Sequence, residues 1–117
     1  MIDFDKVEEF IRALKAKLLF TNIVYRPRDK NTQALADLEI TPQKRDEYIK
    51  NLTVEDCFSG PNQNKDEPSK LEYFEFGINI KGNSVYIKLS LNLPNKPIDC
   101  MSFHIAERPI NHPFRKS

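Results

Sequence analysis

The side chains able to move protons or hold phosphate gather in the C-terminal half of the chain. Tyr73, Glu75, Tyr86, Lys88, Ser102 and His104 occur as pairs spaced by two within three segments. An imidazole titrates near neutral pH and can carry a proton either way. A phenol donates a hydrogen bond, a carboxylate accepts a proton, and an ammonium offsets phosphate charge. Other chemistries are poorly supplied. Cys57 and Cys100 form no C-x-x-C pattern, and with only two histidines a structural zinc site is not expected. Both cysteines read as small apolar fillers in a reduced protein. Ser102 lies beside His104 without a local acid, and neighbours two apart on one strand are poorly placed for a relay.

These residues need strands to place them. EYFEFGINI, VYIKLSL and IDCMSFHI alternate apolar and polar residues, the signature of half-buried antiparallel strands. A two-residue Gly82-Asn83 turn would set Ile80 opposite Val85, Ile78 opposite Ile87 and Phe76 opposite Leu89. A loop over Leu93–Pro97 would set Leu89 opposite Met101, Ile87 opposite Phe103, Lys88 opposite Ser102 and Tyr86 opposite His104. One face then carries Phe, Ile, Leu, Val and Met. The other carries Tyr73, Glu75, Gly77, Asn79, Tyr86, Lys88, Ser90, Cys100, Ser102 and His104. Such a face is also what any amphipathic antiparallel sheet presents to water.

The apolar face needs a cover, and the N-terminal half supplies helices. Phe4, Val7, Phe10, Ile11, Leu14 and Leu18 recur at helical spacing, with Asp3 or Asp5 as the cap. Asn22–Tyr25 is a short strand-like run that stops at Pro27. Helices are expected over Thr32–Leu38 and from Thr41-Pro42 to about Leu52, the latter with a hydroxyl cap and a proline in its first turn. Thr53 and Asp56 have the spacing of a capping box. Residues 59–70, SGPNQNKDEPSK, offer nothing to bury and read as a mobile loop. The expectation is one α+β domain over residues 1–117. Its helical part spans about 1–58, its antiparallel sheet about 71–106, and its tail 107–117.

Composition sets the outer limits. The chain has 117 residues, 39% of them hydrophobic, and 18 basic against 17 acidic side chains leave a net charge of +1. That excludes a strongly electropositive nucleic-acid coat. No apolar run approaches the ~20 residues of a membrane span. The early acids of MIDFDKVEEF do not resemble a signal peptide, so a cytoplasmic protein is expected.

The segment VYIKLSL followed by SFHIAERPINHPF resembles the C-terminal half of the MqsR-type toxins of bacterial toxin–antitoxin systems. NTQALADLEITPQKRDEYIKNLTVEDCFSGP is similar to the middle of that family, and the likeness spans Asn31 to Phe114. It implies a RelE-like fold, with helices on one face of a small antiparallel sheet whose open face binds RNA. It further implies a messenger-RNA endoribonuclease that inhibits translation. The implied partner is a cognate antitoxin with a DNA-binding helix-turn-helix. Tyr86 matches the family tyrosine of the V-Y-x-K strand, and His104 stands where some members carry lysine. Ser59 occupies about the place of a family lysine. A family glutamine has no clear counterpart, Tyr73 and Glu75 being the nearest residues.

RNA supplies its own nucleophile in the ribose 2′-hydroxyl, so such an enzyme needs no metal, cofactor or nucleophilic side chain. It must align the strand, take the 2′ proton, balance charge on phosphorus and protonate the leaving oxygen. The expected catalytic set is Tyr86, His104, Lys88 and Glu75, with Glu75 as base if His104 is the acid. The expected RNA contacts are Tyr73, stacking a base, and Arg108, His112, Arg115 and Lys116 in a tail folded back over the face. The alternative is a non-catalytic α+β interaction or RNA-binding module.

Overall fold

The computed structural model describes residues 2–65 and 71–114. Three α-helices precede most of a five-stranded mixed sheet, an α+β architecture. Helix α1 (Phe4–Lys17) is capped by Asp3, whose carboxylate accepts from the Lys6 amide at 3.2 Å. It buries Val7, Phe10, Ile11 and Leu14. The Phe10 ring lies 4.3 Å from Phe74 and 5.8 Å from Phe76, which pins the helix to the apolar face of the sheet. Phe4 departs from the expected stripe. It is largely exposed and meets the C-terminal Phe114 edge-on at 5.1 Å.

Strand β1 (Ile23–Tyr25) leads into α2 (Asp29–Leu38) and α3 (Pro42–Lys50). Thr41 caps α3 by accepting from the Lys44 amide at 3.1 Å, as its hydroxyl and the following proline imply. Helix α3 ends before Leu52, which is still buried. Helix α2 begins three residues earlier than the apolar stripe indicated, because Arg28 opens it without a side-chain cap. The extra turn brings Asn31 into the interior. Its amide donates to the carbonyls of Arg26 (3.0 Å) and Met101 (3.2 Å), and its carbonyl accepts from Phe103 N (2.9 Å). Asn31 thereby serves as a strand neighbour where β1 has run out.

The sheet comprises β2 (Cys57–Asn62), β3 (Tyr73–Ile80), β4 (Asn83–Ser90) and β5 (Ile98–Ile105), in the order β1-β5-β4-β3-β2. It is not wholly antiparallel, since β1 pairs parallel with β5, Ile23 beside Ile98 and Tyr25 beside Cys100. Residues 59–62 are not loop either. They lie in the edge strand β2, which pairs irregularly with β3. An edge tolerates the proline at 61, and a Cβ on Gly60 would lie 2.5 Å from the Phe74 ring, so only glycine fits there. Residues 66–70 of the expected loop lie outside the described residues.

The β3–β4 register departs from expectation throughout and the β4–β5 register at one bulge. Lys81 and Gly82, at φ 53° and 87°, form the β3–β4 turn. The ladder is therefore displaced by two: Ile80 faces Asn83, Ile78 faces Val85, Phe76 faces Ile87 and Phe74 faces Leu89. A shift of two keeps every side chain on its expected face. In the β4–β5 hairpin Tyr86 faces His104, Ile87 faces Phe103 and Lys88 faces Ser102, as the pattern requires. A bulge follows, so Leu89 faces Cys100 and not Met101. The extra residue turns Cys100 and Ile98 into the core, where neither has exposed surface. Cys100 thus leaves the polar face.

Candidate functional site

The polar face of β3, β4 and β5 forms the floor of an open cleft of about 770 Å³. The first turn of α2 walls one side and the segment after β5 walls another. Tyr86 and His104 sit directly opposite each other on neighbouring strands, their rings 5.4 Å apart. The two-residue displacement of the first hairpin puts Gly77 opposite Tyr86 and Glu75 opposite Lys88. The Tyr86 phenol crosses diagonally to the next residue of its face and donates a hydrogen bond to Glu75 Oε2, while Ile110 and His112 fill the space over Gly77. Asn62 of β2 approaches the other oxygen of that carboxylate at 3.4 Å. One polar row thus crosses four strands, from Asn62 through Glu75 and Tyr86 to His104.

Electrostatics fix the forms of these groups. Burial, followed by the hydrogen bond to Glu75, pushes the Tyr86 phenol well above its ordinary range, while Arg28 pulls weakly the other way. Tyr86 is therefore a neutral donor at physiological pH and not a phenolate. His104 Nδ1 donates to the carbonyl of Ile105 at 2.9 Å, which leaves Nε2 as the nitrogen able to exchange a proton. Four cations line the cleft, Arg28, Lys30, Lys88 and Arg108, against three carboxylates, Asp29, Glu75 and Glu107. Lys30 and Glu107 pair across the rim at 2.7 Å, which holds the Glu107 carboxyl below its usual range. Lys88 reaches over the Tyr73 ring at 4.2 Å.

Of the residues singled out from sequence, Tyr86, His104, Lys88, Glu75 and Arg108 all line this cleft. Tyr73 does not. Its ring stands beside the cleft under the Lys88 ammonium, so it is no open stacking platform there. His112 serves as an anchor: its Nε2 donates to the Gly77 carbonyl at 2.8 Å and holds the tail across the sheet. Ile110 packs on the same glycine, where a Cβ would come within 2.7 Å of its Cδ1. Arg115 and Lys116 lie outside the described residues. Sequence reading missed Arg28, Lys30 and Phe58. The first two were hidden by the late helix start, and Phe58 by the reading of its neighbours as loop. A strand reading of Cys57–Asn62 would have exposed Phe58 by its alternation with Cys57.

Among the described residues, no three His, Cys, Asp or Glu side chains are placed to hold a metal ion, and no helix is long and apolar enough to cross a membrane. No protein-family model, curated protein or solved structure matches the chain.

Proposed function

We propose that this protein is a metal-independent endoribonuclease of the kind found as the toxin of a type II toxin–antitoxin pair. Its substrate is messenger RNA and its site of action the cytoplasm. Its protein partner is a cognate antitoxin bearing a DNA-binding helix-turn-helix. The observation that carries the reading is the juxtaposition of Tyr86 and His104, with Glu75 bound to the phenol, on the floor of a cation-lined cleft.

In this reading Glu75, an acceptor held in place by Tyr86 and Asn62, takes the proton of the ribose 2′-hydroxyl. The 2′-oxygen attacks phosphorus and the bond to the 5′-oxygen breaks. His104, protonated on both ring nitrogens, gives the Nε2 proton to that leaving oxygen. The products are a 2′,3′-cyclic phosphate and a 5′-hydroxyl. Lys88, opposite Glu75 on the ladder, offsets the charge that accumulates on phosphorus. The protein invests mainly in alignment and proton transfer, because the nucleophile belongs to the substrate.

The test is expression from a tight promoter of the chain and of His104→Ala. The unaltered chain is expected to arrest growth and fragment RNA, leaving cyclic-phosphate ends in a chelator-insensitive reaction. His104→Ala should lower the purified enzyme's rate at least ~100-fold, the usual scale of a lost acid or base. Equal growth and equally intact RNA in both cultures would overturn the proposal.

A further inference from the structure

An aromatic row runs along the cleft and on past it to His112, and the proposed proton transfers do not use it to its end. Tyr86 follows His104, Phe58 lies 6.1 Å beyond Tyr86, and His112 lies 6.5 Å beyond Phe58. Phe58 is half-buried on the edge strand and lines the cleft while its neighbour Cys57 faces the core. Phe58 meets Tyr86 at a tilt and His112 edge-on, and a half-buried aromatic ring lining a cleft of charged groups offers the kind of flat face on which a nucleobase stacks. The cations show a similar division. Lys30 is paired with Glu107, and Lys88 lies over Tyr73. Arg28 stands at the start of α2 and Arg108 lies beyond the end of β5, both lining the cleft. Arg28 is close enough to act electrostatically on the Tyr86 phenol.

We infer that Phe58 is a base seat and that Arg28 and Arg108 are phosphate clamps, so the cleft takes single-stranded RNA with one unstacked base on Phe58. The inference rests on the ribonuclease reading for its choice of RNA, and it adds the binding residues on either side of the reacting phosphate. It also accounts for how a chain of net charge +1 could hold a polyanion. Two guanidiniums facing a short stretch of backbone need no basic coat, and stacking supplies a part of the affinity that salt does not screen. A duplex would be rejected, because its bases are not free to lie on a ring at the cleft floor.

The two contributions separate on a salt titration. A fluorescein-labelled 2′-O-methyl RNA octamer, which cannot be cut through its 2′-oxygen, is bound to the full chain and followed by anisotropy from low to moderate salt. Arg28→Ala and Arg108→Ala should each flatten the slope of log K against log salt by about 0.7, one single-strand phosphate contact. Phe58→Leu should weaken binding about tenfold with the slope unchanged. The chain has no tryptophan, so Phe58→Trp introduces a lone indole, which should retain affinity and be quenched by the octamer but not by duplex RNA. Unaltered binding by Phe58→Leu, an unquenched indole in a saturated complex, an unchanged slope in both arginine variants, or no binding by the parent chain would each overturn the inference. Cleavage of unmodified RNA is assayed in parallel. Binding that behaves as stated without cleavage defeats the ribonuclease proposal alone. Cleavage by Phe58→Leu at the parent's rate and affinity defeats the base seat alone.

Discussion

Among the described residues two tyrosines, Tyr25 and Tyr86, donate to carboxylates, and the groups around the two pairs differ. At one end of the sheet Tyr25 donates to Asp46 at 2.5 Å; across the polar face Tyr86 donates to Glu75. Both phenols are pushed upward, first by burial and then by the hydrogen-bonded carboxylate. The Tyr25 pair is half-buried and packed over by neighbouring side chains. Arg45 stacks on its ring at 3.4 Å, Phe103 meets it edge-on at 6.4 Å, and a bidentate Arg26–Asp99 bridge stands nearby on the β1–β5 ladder. The Tyr86 pair instead opens on a cleft shared with an imidazole and cations. A perturbed tyrosine is thus no marker of a site by itself. What distinguishes the second pair is room for a substrate and a neighbour able to exchange protons.

Matched deletions of the two hydroxyls break or confirm that contrast, and they should give the largest effects. Tyr86→Phe frees Glu75 from the bond that positions it and is expected to lower RNA cleavage on the order of 100-fold, measured on a labelled transcript, with a smaller loss of unfolding free energy than Tyr25→Phe because Asn62 still reaches Glu75. Tyr25→Phe should do the reverse. It leaves the Asp46 carboxylate without its donor and costs about 1.5–3 kcal/mol in urea unfolding, while cleavage at permissive temperature is retained. Loss of activity in Tyr25→Phe at full stability would show that the pair away from the cleft takes part in the reaction.

A smaller effect is expected where the tail crosses the open face. Gly77→Ala places a methyl group against Ile110 and against the imidazole nitrogen that holds the tail. Because the Ile110 methyl can swing aside, the cost should be about 1 kcal/mol, seen as a lowered midpoint in urea. The tail should also become easier to clip with protease at residues 107–111. An unchanged clipping rate would mean that the His112 bond does not hold the tail in place.

How much of this was legible in the sequence follows from what each pattern can report. Caps were readable, since Asp3, Thr41 and the Thr53–Asp56 box each act within one helical turn. The facing of Tyr86 and His104 was readable as well, because the alternation of both strands admits few registers. Alternation is blind to a slip of two, however. The Lys81-Gly82 turn therefore went unforeseen, and with it the approach of Tyr86 to Glu75. Cys100 was misplaced because one bulge residue reverses every face beyond it. The strand at 57–62 was hidden by Gly60 and Pro61, which an edge accepts and a central strand would not. The first turn of α2 escaped because Arg28 carries no capping side chain.

The smallest effect repeats the contrast within adjacent residues of one strand. Cys57 faces the core while Phe58 faces the cleft. Burial, with repulsion from Glu75 and Asp56 adding to it, raises the Cys57 thiol from 9.0 to about 11. Below pH 9 the thiol is protonated in folded and unfolded chains alike, so its contribution is fully present. Above pH 9 the unfolded chain sheds the proton and the folded chain keeps it. Stability therefore falls as pH rises toward about 11, beyond which both forms are ionised and the loss levels off. Cys57→Ala removes this part of the decline, so its unfolding free energy should slope less steeply than the parent's between pH 9 and 11, with RNA cleavage at neutral pH preserved. Phe58→Leu should show the opposite pattern, an unchanged alkaline slope and weakened RNA binding. Parallel alkaline slopes for Cys57→Ala and the parent would show that the thiol is not shielded from water, and the division between the core and cleft sides of β2 would fail with it.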